Sequence, residues 1–242
     1  PVISLCFTIS AVPYGIEKRM PLVIDTPDAS FRVNYLFNRI EISRDSRKSW
    51  AIFFEEETPA MGSLRGLTFH RDALFVVTDT GIHSTPTDAP QFTQVSPQRK
   101  GAEFVDIESF EGMLYACTND AIFQAASGVR WRLKYEGNAC GHFFSLLNFK
   151  GKLFAACEKG IYVASQEGKF WHPRFISKEI GMFVALDGKG DKLFAQTDQG
   201  FFVSDDDAQH WAPQKNVQGP WTEAMGGTML FEPRLKKREK NS

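Results

Sequence analysis

The chain has 242 residues, of which 43% are hydrophobic and 24% charged, and its net charge is −1 at pH 7. A chain of this length and composition can bury a substantial core, and its balanced charge gives no global argument for nucleic acid or an anionic membrane as a partner. No apolar run approaches the roughly 18 residues that a membrane-spanning helix needs, so no membrane span is predicted.

The first 21 residues begin with an apolar stretch, PVISLCFTISAVPYG, which has no basic region before it. Two interpretations stay open. The stretch is either the remnant of a clipped leader peptide or a strand rich in Val, Ile, Phe and Thr, and the strand is favoured. A secreted or periplasmic location is favoured slightly over a cytoplasmic one.

Residues 22–54 contain the octapeptide SRDSRKSW at positions 43–50. After it come four stretches that repeat one pattern. Their leading leucines are 40, 39 and 40 residues apart, and an Ile or Phe eight residues later keeps the same steps. A closing aromatic keeps these steps within one residue. The leucines are Leu74, Leu114, Leu153 and Leu193, and the aromatics are Phe92, Trp131, Trp171 and Trp211.

Each repeat contains two short apolar runs joined by a polar turn, then a polar loop, then a third run that the aromatic begins. A further strand-like segment precedes each repeat, starting at Leu64, Glu103, His142 and Gly181. Gly, Asp and Asn turns separate these runs, and no window shows a helical apolar stripe. Four short strands in a period of about 40 residues predict an all-β propeller with four-stranded blades.

The octapeptide resembles the Asp-box, or BNR repeat, which reads Ser/Thr, any, Asp, any, Gly, any, Ser/Thr, Trp. Ser43, Asp45, Ser49 and Trp50 match, and Arg47 replaces the glycine. The later copy SDDDAQHW keeps Ser204, Asp206 and Trp211. The resemblance is to the Asp-box propellers, which include sialidases, sortilin-type receptors and photosystem assembly factors of the Ycf48 kind. It implies that the octapeptide is a hairpin loop joining the third and fourth strands of a blade, with a structural role.

The number of blades follows from how the ring closes. Strand-like pieces at Trp221 to Ala224 and Thr228 to Phe231 could pair with Val2 to Ser10 and complete a sixth blade, and six is the preferred count. Five is the alternative. In that alternative the C-terminal strands complete the blade that carries Ile40 to Phe54, and residues 1–30 lie outside the ring. We expect residues 1–233 to form one propeller domain, with residues 1–21 as a leader or a closing strand, and residues 234–242 to form a charged, disordered tail. A monomer is expected.

Candidate ligand-binding residues lie on or beside the first strand of each blade, where propellers place ligands. They are Arg65, Asp106, Glu108, His142, Trp221 and Glu223. The structural alternative is that these side chains line a water-filled channel, and that Trp221 seals the ring. The region around Arg65, His142 and Trp221 is the predicted binding face, because its loops vary between blades whereas the repeat does not.

The function predicted from these features is a non-catalytic module that binds a protein or a glycan through one propeller face. A sialidase is disfavoured. The stretch FRVN at Phe31 resembles the sialidase Phe-Arg-Ile-Pro motif and gives Arg32 as the first arginine of a carboxylate-binding triad. The arginines after Arg99 lie beside an octapeptide aromatic, on an outer strand or in the tail, so the triad is not found; they are Arg130, Arg132, Arg174, Arg234 and Arg238. The alternative is a glycoside hydrolase that uses Asp106, Glu108 or Glu223 as acid and base. No metal site or cofactor is predicted, since the four cysteines and five histidines show no ligand spacing.

Overall fold

The computed structural model describes residues 22–35, 37–55, 60–99, 103–137, 139–176, 178–214, 216–217 and 229–230. These residues form strands and turns and contain no helix. The predicted closing residues Val2 to Ser10 and Trp221 to Ala224, and the tail at 234–242, lie outside this part of the chain.

The described residues form five antiparallel sheets of four consecutive strands, and each of these sheets is one propeller blade. Blade 1 contains β1 (Val23–Asp25), β2 (Ser30–Asn34), β3 (Arg39–Ser43) and β4 (Ala51–Glu55). Blade 2 contains β5 (Leu64–His70), β6 (Ala73–Thr78), β7 (Gly81–Pro86) and β8 (Thr93–Pro97). Blade 3 contains β9 (Asp106–Phe110), β10 (Met113–Cys117), β11 (Ala121–Ala125) and β12 (Arg132–Glu136).

Blade 4 contains β13 (Phe143–Phe149), β14 (Lys152–Cys157), β15 (Gly160–Ser165) and β16 (Phe170–Phe175). Blade 5 contains β17 (Phe183–Lys189), β18 (Lys192–Thr197), β19 (Gly200–Ser204) and β20 (Ala212–Pro213). A separate two-stranded ladder pairs β21 (Asn216–Val217) with β22 (Met229–Leu230). The described residues therefore give five four-stranded blades, the alternative count, rather than the preferred six.

The structure confirms the predicted repeat, because residues at equivalent places in the repeat lie at equivalent positions in successive blades. Leu74, Leu114, Leu153 and Leu193 all lie on the second strand of their blades and are at most 1% exposed. The first strands contact the first strands of the neighbouring blades, so they are the inner strands of the ring. Each inner strand begins within a few residues of the segment that the sequence predicts.

A hydrophobic core fills the seam between each pair of consecutive blades from blade 1 to blade 5. At the seam of blades 3 and 4, for example, Tyr115 packs in one cluster with Leu146 and Trp171. A four-stranded blade cannot bury both of its faces alone, so stacking against neighbours supplies most of the hydrophobic stabilisation.

The hairpins that join third and fourth strands form one face of the propeller, which we call the bottom face. In blade 1, Asp45 Oδ1 accepts hydrogen bonds from the Ser43 hydroxyl at 2.7 Å and the Ser49 amide at 2.9 Å. In blade 5, Asp206 Oδ1 accepts from the Ser204 hydroxyl at 2.9 Å and from the His210 amide at 2.9 Å. These bonds lower the pKa of both aspartates, and they hold each turn closed as the octapeptide pattern predicts.

Candidate functional site

The opposite face, at which the inner strands begin, is the top face. It consists of the turns that join second to third strands and the loops that lead into the inner strands. Three of its turn acids have the same position in their blades, and each binds the backbone amide of the residue that precedes an inner strand. Asp79 binds the Ser63 amide at 2.7 Å, Glu158 binds the His142 amide at 3.3 Å, and Asp198 binds the Met182 amide at 2.7 Å.

A glycine precedes each of these amides, and its backbone requires the left-handed conformation. The φ angles are 76° at Gly62, 73° at Gly141 and 82° at Gly181. A Cβ atom at Gly62 would lie 2.6 Å from the Asp79 Cβ. Since only glycine combines this φ with such a close approach at little cost, the loop and the turn acid fix each other. The sequence analysis missed this pairing, although both partners recur in phase with the repeat.

The top face carries excess negative charge. Its described turns and loops hold six acidic residues and three lysines or arginines, and the adjoining strand ends add two acids, Glu55 and Glu136, and two bases, Arg39 and Arg65. The acids of the turns and loops are Asp79, Glu103, Asp120, Glu158, Glu179 and Asp198, and their bases are Arg99, Lys159 and Lys178. All six acids are at least partly exposed, so this face attracts cationic groups.

Arg65 lies at the start of β5 on this face and bridges blades 2 and 3. Its guanidinium donates to Asp79 Oδ1 at 2.9 Å, to Glu103 Oε2 at 3.1 Å and to the Phe104 carbonyl at 3.4 Å. The burial of Asp79 acts to raise its pKa, but the bonds from Ser63 and Arg65 outweigh burial and lower it. Arg65 therefore holds the carboxyl groups of Asp79 and Glu103 in place, and it is itself part of the top face.

An exposed aromatic next to Arg65 is a site residue that the sequence analysis did not single out. Phe37 lies in the turn between β2 and β3 and is 56% exposed, with the Arg39 guanidinium 4.7 Å from its ring centroid. The turn is fixed to blade 2, because Asn38 Oδ1 accepts from the Leu64 amide at 2.8 Å and the Tyr35 hydroxyl donates to the Arg65 carbonyl at 3.1 Å. No sequence signal distinguishes such an aromatic from a buried one.

The remaining predicted residues are distributed between the face and the channel. His142 is exposed on the top face, in the loop before β13. Asp106 and Glu108 lie on β9, the inner strand of blade 3. Trp221 and Glu223 lie outside the described residues, so their predicted roles stay predictions.

Asp106 joins blade 3 to its neighbour. Its Oδ2 accepts from the Leu146 amide of blade 4 at 2.8 Å, and its Oδ1 accepts from the Ile107 amide at 2.9 Å. Its position against blade 2 is close enough that a Cβ at Gly66 would lie 2.3 Å from Oδ1. This carboxylate connects the inner strands of three blades, which is a structural task.

Glu108 is one of five residues that occupy equivalent positions on the inner strands, each paired with an aromatic of the second strand. The five are Ile24, Thr68, Glu108, Leu147 and Asp187. Burial raises the pKa of Glu108 to about 8, and the nearby Asp106 adds to this, although the Ser109 and Asn148 amides and the Thr68 hydroxyl act in the other direction. Glu108 is therefore mostly protonated at neutral pH.

Arg32, which the resemblance to sialidases suggests as a carboxylate-binding arginine, is engaged within blade 1. It forms an ion pair with Glu41, and its guanidinium lies 4.3 Å from the ring centroid of Trp50. These contacts stabilise the outer part of the blade.

The described part of the chain has no group of three or more His, Cys, Asp or Glu side chains placed to hold a metal ion. Across the same residues, no helix is long and apolar enough to cross a membrane.

No protein-family model and no curated protein sequence matches the chain. Many solved structures share its fold. A structure of Ycf48 bound to a D1 peptide is 15% identical, with a TM-score of 0.54, and the match covers 82% of this chain and 73% of Ycf48. The designed protein Ika8 is 8% identical, with a TM-score of 0.51, and 78% of this chain and 59% of that chain are covered.

The extracellular domain of the putative one-component system BT4673 from B. thetaiotaomicron is 14% identical, with a TM-score of 0.56. That match covers 79% of this chain and 27% of the other. Likenesses at these identities show a shared fold, and the chain is a β-propeller.

Proposed function

We propose that this propeller is a non-catalytic interaction module that binds a protein partner through its top face. The observation that carries the proposal is the exposed Phe37 on a turn that Tyr35 and Asn38 hold against blade 2. The partner surface would combine an apolar pocket or side chain for Phe37 with basic residues for the surrounding acids.

Phe37 has the properties of a binding anchor. A large aromatic that is exposed in the free protein gains most when a partner buries it, and a few such residues commonly dominate the energy of an interface. Because the turn is already fixed by hydrogen bonds to the start of β5, little conformational entropy is lost when a partner binds. Arg39, stacked over the ring, is a residue type that is enriched at interfaces.

The acidic residues of the top face support a cationic segment of a protein as the partner. Asp79, Glu158 and Asp198 are held in place by backbone amides, so their charges need no reorganisation on binding. Complementary charge speeds association and improves specificity. These carboxylates can accept hydrogen bonds from a neutral glycan and repel a sialylated one, whereas a cationic peptide gains charge attraction as well as hydrogen bonds. A protein is therefore the preferred ligand class over a glycan.

The Ycf48 structure supports a peptide ligand on this fold, since it contains a D1 peptide. The hydrolase alternative receives less support. A hydrolase needs an acid and a base in one pocket, whereas both Asp106 oxygens accept hydrogen bonds from inner-strand amides.

The test is to select peptides from a random displayed library against the purified protein and to measure the affinity of the selected peptides by calorimetry. We expect basic peptides with an apolar residue, whose binding weakens at higher salt. Phe37→Ala should lower their affinity by at least about tenfold, the change expected for a dominant interface residue.

Phe170→Ala is the matched control. Phe170 is 44% exposed with Lys169 5.4 Å from its ring centroid, but it lies in a bottom-face hairpin. Equal loss of affinity in both variants, or in neither, would contradict binding through the top face. A glycan array and aryl glycosides, tested in parallel, would reveal the alternative ligand and the alternative activity.

A further inference from the structure

A cavity of about 420 Å³ lies where blade 5 faces blade 1, on the bottom side of the propeller and away from the proposed protein-binding face. Its walls come from β1, the first bottom hairpin and the end of β17. They are Val23, Asp25, Arg47, Asp187, Gly188, Lys189 and Gly190. This volume is within the range that accommodates a small organic molecule.

Among the described residues that line the cavity, one in the hairpin of blade 1 departs from the pattern of the other blades. The fifth octapeptide position elsewhere holds a small residue that packs under an aromatic of the preceding blade. A Cβ at Gly128 would lie 2.5 Å from Phe75, and one at Gly168 would lie 2.9 Å from Tyr115. In blade 1 this position is Arg47, whose side chain turns aside to pair with Asp25 at 2.6 Å.

Asp187 lines this cavity. The residue is 7% exposed, and its Oδ1 accepts from the Gly188 amide at 2.7 Å. Its Oδ2 is buried and has no hydrogen-bond partner among the described residues. In Glu108, its acidic counterpart in blade 3, Oε1 accepts hydrogen bonds from Thr68 and Ser109, and the Asn148 amide also donates to the carboxyl group. Since an unsatisfied buried acceptor is costly and rare in native proteins, Asp187 Oδ2 points to a missing donor.

We propose that the cavity binds a small molecule carrying an alkylammonium group, which donates a hydrogen bond to Asp187 Oδ2. An ammonium is preferred over an anion at this position, because the unpartnered atom is a carboxyl oxygen, which accepts hydrogen bonds. It is preferred over a metal ion, because two carboxyl groups supply fewer than the roughly six oxygen ligands that Mg²⁺ or Ca²⁺ takes, whereas an ammonium can bind to one acceptor. An anionic group at the other end of the ligand would face Arg47 and Lys189.

Three probes of equal length test the proposal by ligand-observed NMR titration: pentylamine, 5-aminopentanoate and pentanoate. We expect both amines to bind with Kd on the order of 1 mM, because ligands with so few atoms bind weakly. The zwitterion 5-aminopentanoate should bind more tightly than pentylamine. Pentanoate should bind at least about tenfold more weakly. The charged groups facing Asp187 are Asp25, Arg47 and Lys189. Because burial raises the pKa of Asp187 to about 7, amine binding should strengthen from pH 6 to pH 8 as the carboxyl ionises.

Asp187→Asn and Asp187→Leu should each weaken amine binding at least about tenfold, the loss expected when a charged hydrogen-bond partner is removed. Both variants should fold, because Leu147 occupies the equivalent position in blade 4. Asp191→Asn is the matched control, since Asp191 lies in the next turn, exposed and paired with Lys150 at 2.8 Å. The proposal is overturned if neither amine binds at millimolar concentrations, if pentanoate binds as well as the amines, or if the two Asp187 variants retain parental affinity.

Discussion

Replacing Asp187 with asparagine should change how the stability of the propeller depends on pH. Burial raises the pKa of Asp187 to about 7 from an ordinary value of 3.8, the Gly188 amide and the Arg47 charge opposing this. Between these two pH values the folded protein keeps a proton on Asp187 that the unfolded chain has lost. The contribution of Asp187 to stability is therefore fully present below pH 3.8 and is lost as the pH rises to about 7.

The size of the effect follows from that difference in pKa. About three pH units, at about 1.4 kcal/mol each, give an upper value near 4 kcal/mol. Solvent that reaches the neighbouring cavity reduces the loss, so we expect about 2–4 kcal/mol between pH 4 and pH 8. Asparagine can still accept the Gly188 hydrogen bond and does not titrate. The free energy of unfolding of the variant should therefore lack this pH-dependent contribution.

The assay is urea unfolding at 25 °C, monitored by circular dichroism, for the parent and the Asp187→Asn variant at several pH values. The difference between the two free energies of unfolding isolates Asp187, since every other titrating group is common to both proteins. The variant should gain stability relative to the parent as the pH rises from 4 to 8. A difference that stays constant over this range would refute the assignment of Asp187 as a buried, proton-retaining carboxyl.

Three further predictions concern the packing of the blades. Trp171→Ala should lower the free energy of unfolding by about 3 kcal/mol or more, because Trp171 is 7% exposed and packs on Phe143; urea unfolding with a change within error would show that this anchor is unimportant. Gly168→Ala should destabilise by about 1–3 kcal/mol, because φ at Gly168 is 77° and the added Cβ would lie 2.9 Å from Tyr115. The same position in blade 5 already holds alanine, so Ala208→Gly is the matched comparison, and a larger loss there would contradict the packing argument. Cys117, Cys140 and Cys157 are buried thiols, and burial raises the pKa of Cys157. Alkylation followed by peptide mass spectrometry should therefore label these three cysteines only after unfolding, and rapid labelling of the native protein would contradict their burial.

The sequence predicted the blades well because a 40-residue repeat constrains many positions at once. The four leading leucines could be assigned to buried second strands from their spacing alone, and the octapeptide aspartates to closed turns from local chemistry. The blade count was predicted less well. It depended on how segments near the two ends of the chain pair, and strand pairing over such a distance leaves no periodic signal.

The candidate site was harder to predict, because contacts between blades join residues that are far apart in the sequence and leave no local sequence pattern. Arg65 was identified by residue type and position, but its three acceptors come from elements up to 39 residues away. The exposure of Phe37 depends on where its turn docks. Arg47 was noted as a departure from the octapeptide pattern, but only the ring geometry places it at the seam of blades 1 and 5, beside Asp187.

The central claim, that a protein partner binds the top face, is tested most directly by hydrogen–deuterium exchange of the protein with and without a selected peptide. Binding through the top face should slow exchange in the Phe37 turn, in residues 60–65 and in the turn at Asp79 and Thr80. Exchange in the bottom hairpins around Asp45 and Gly168 should stay unchanged. Protection confined to the bottom hairpins would contradict the account.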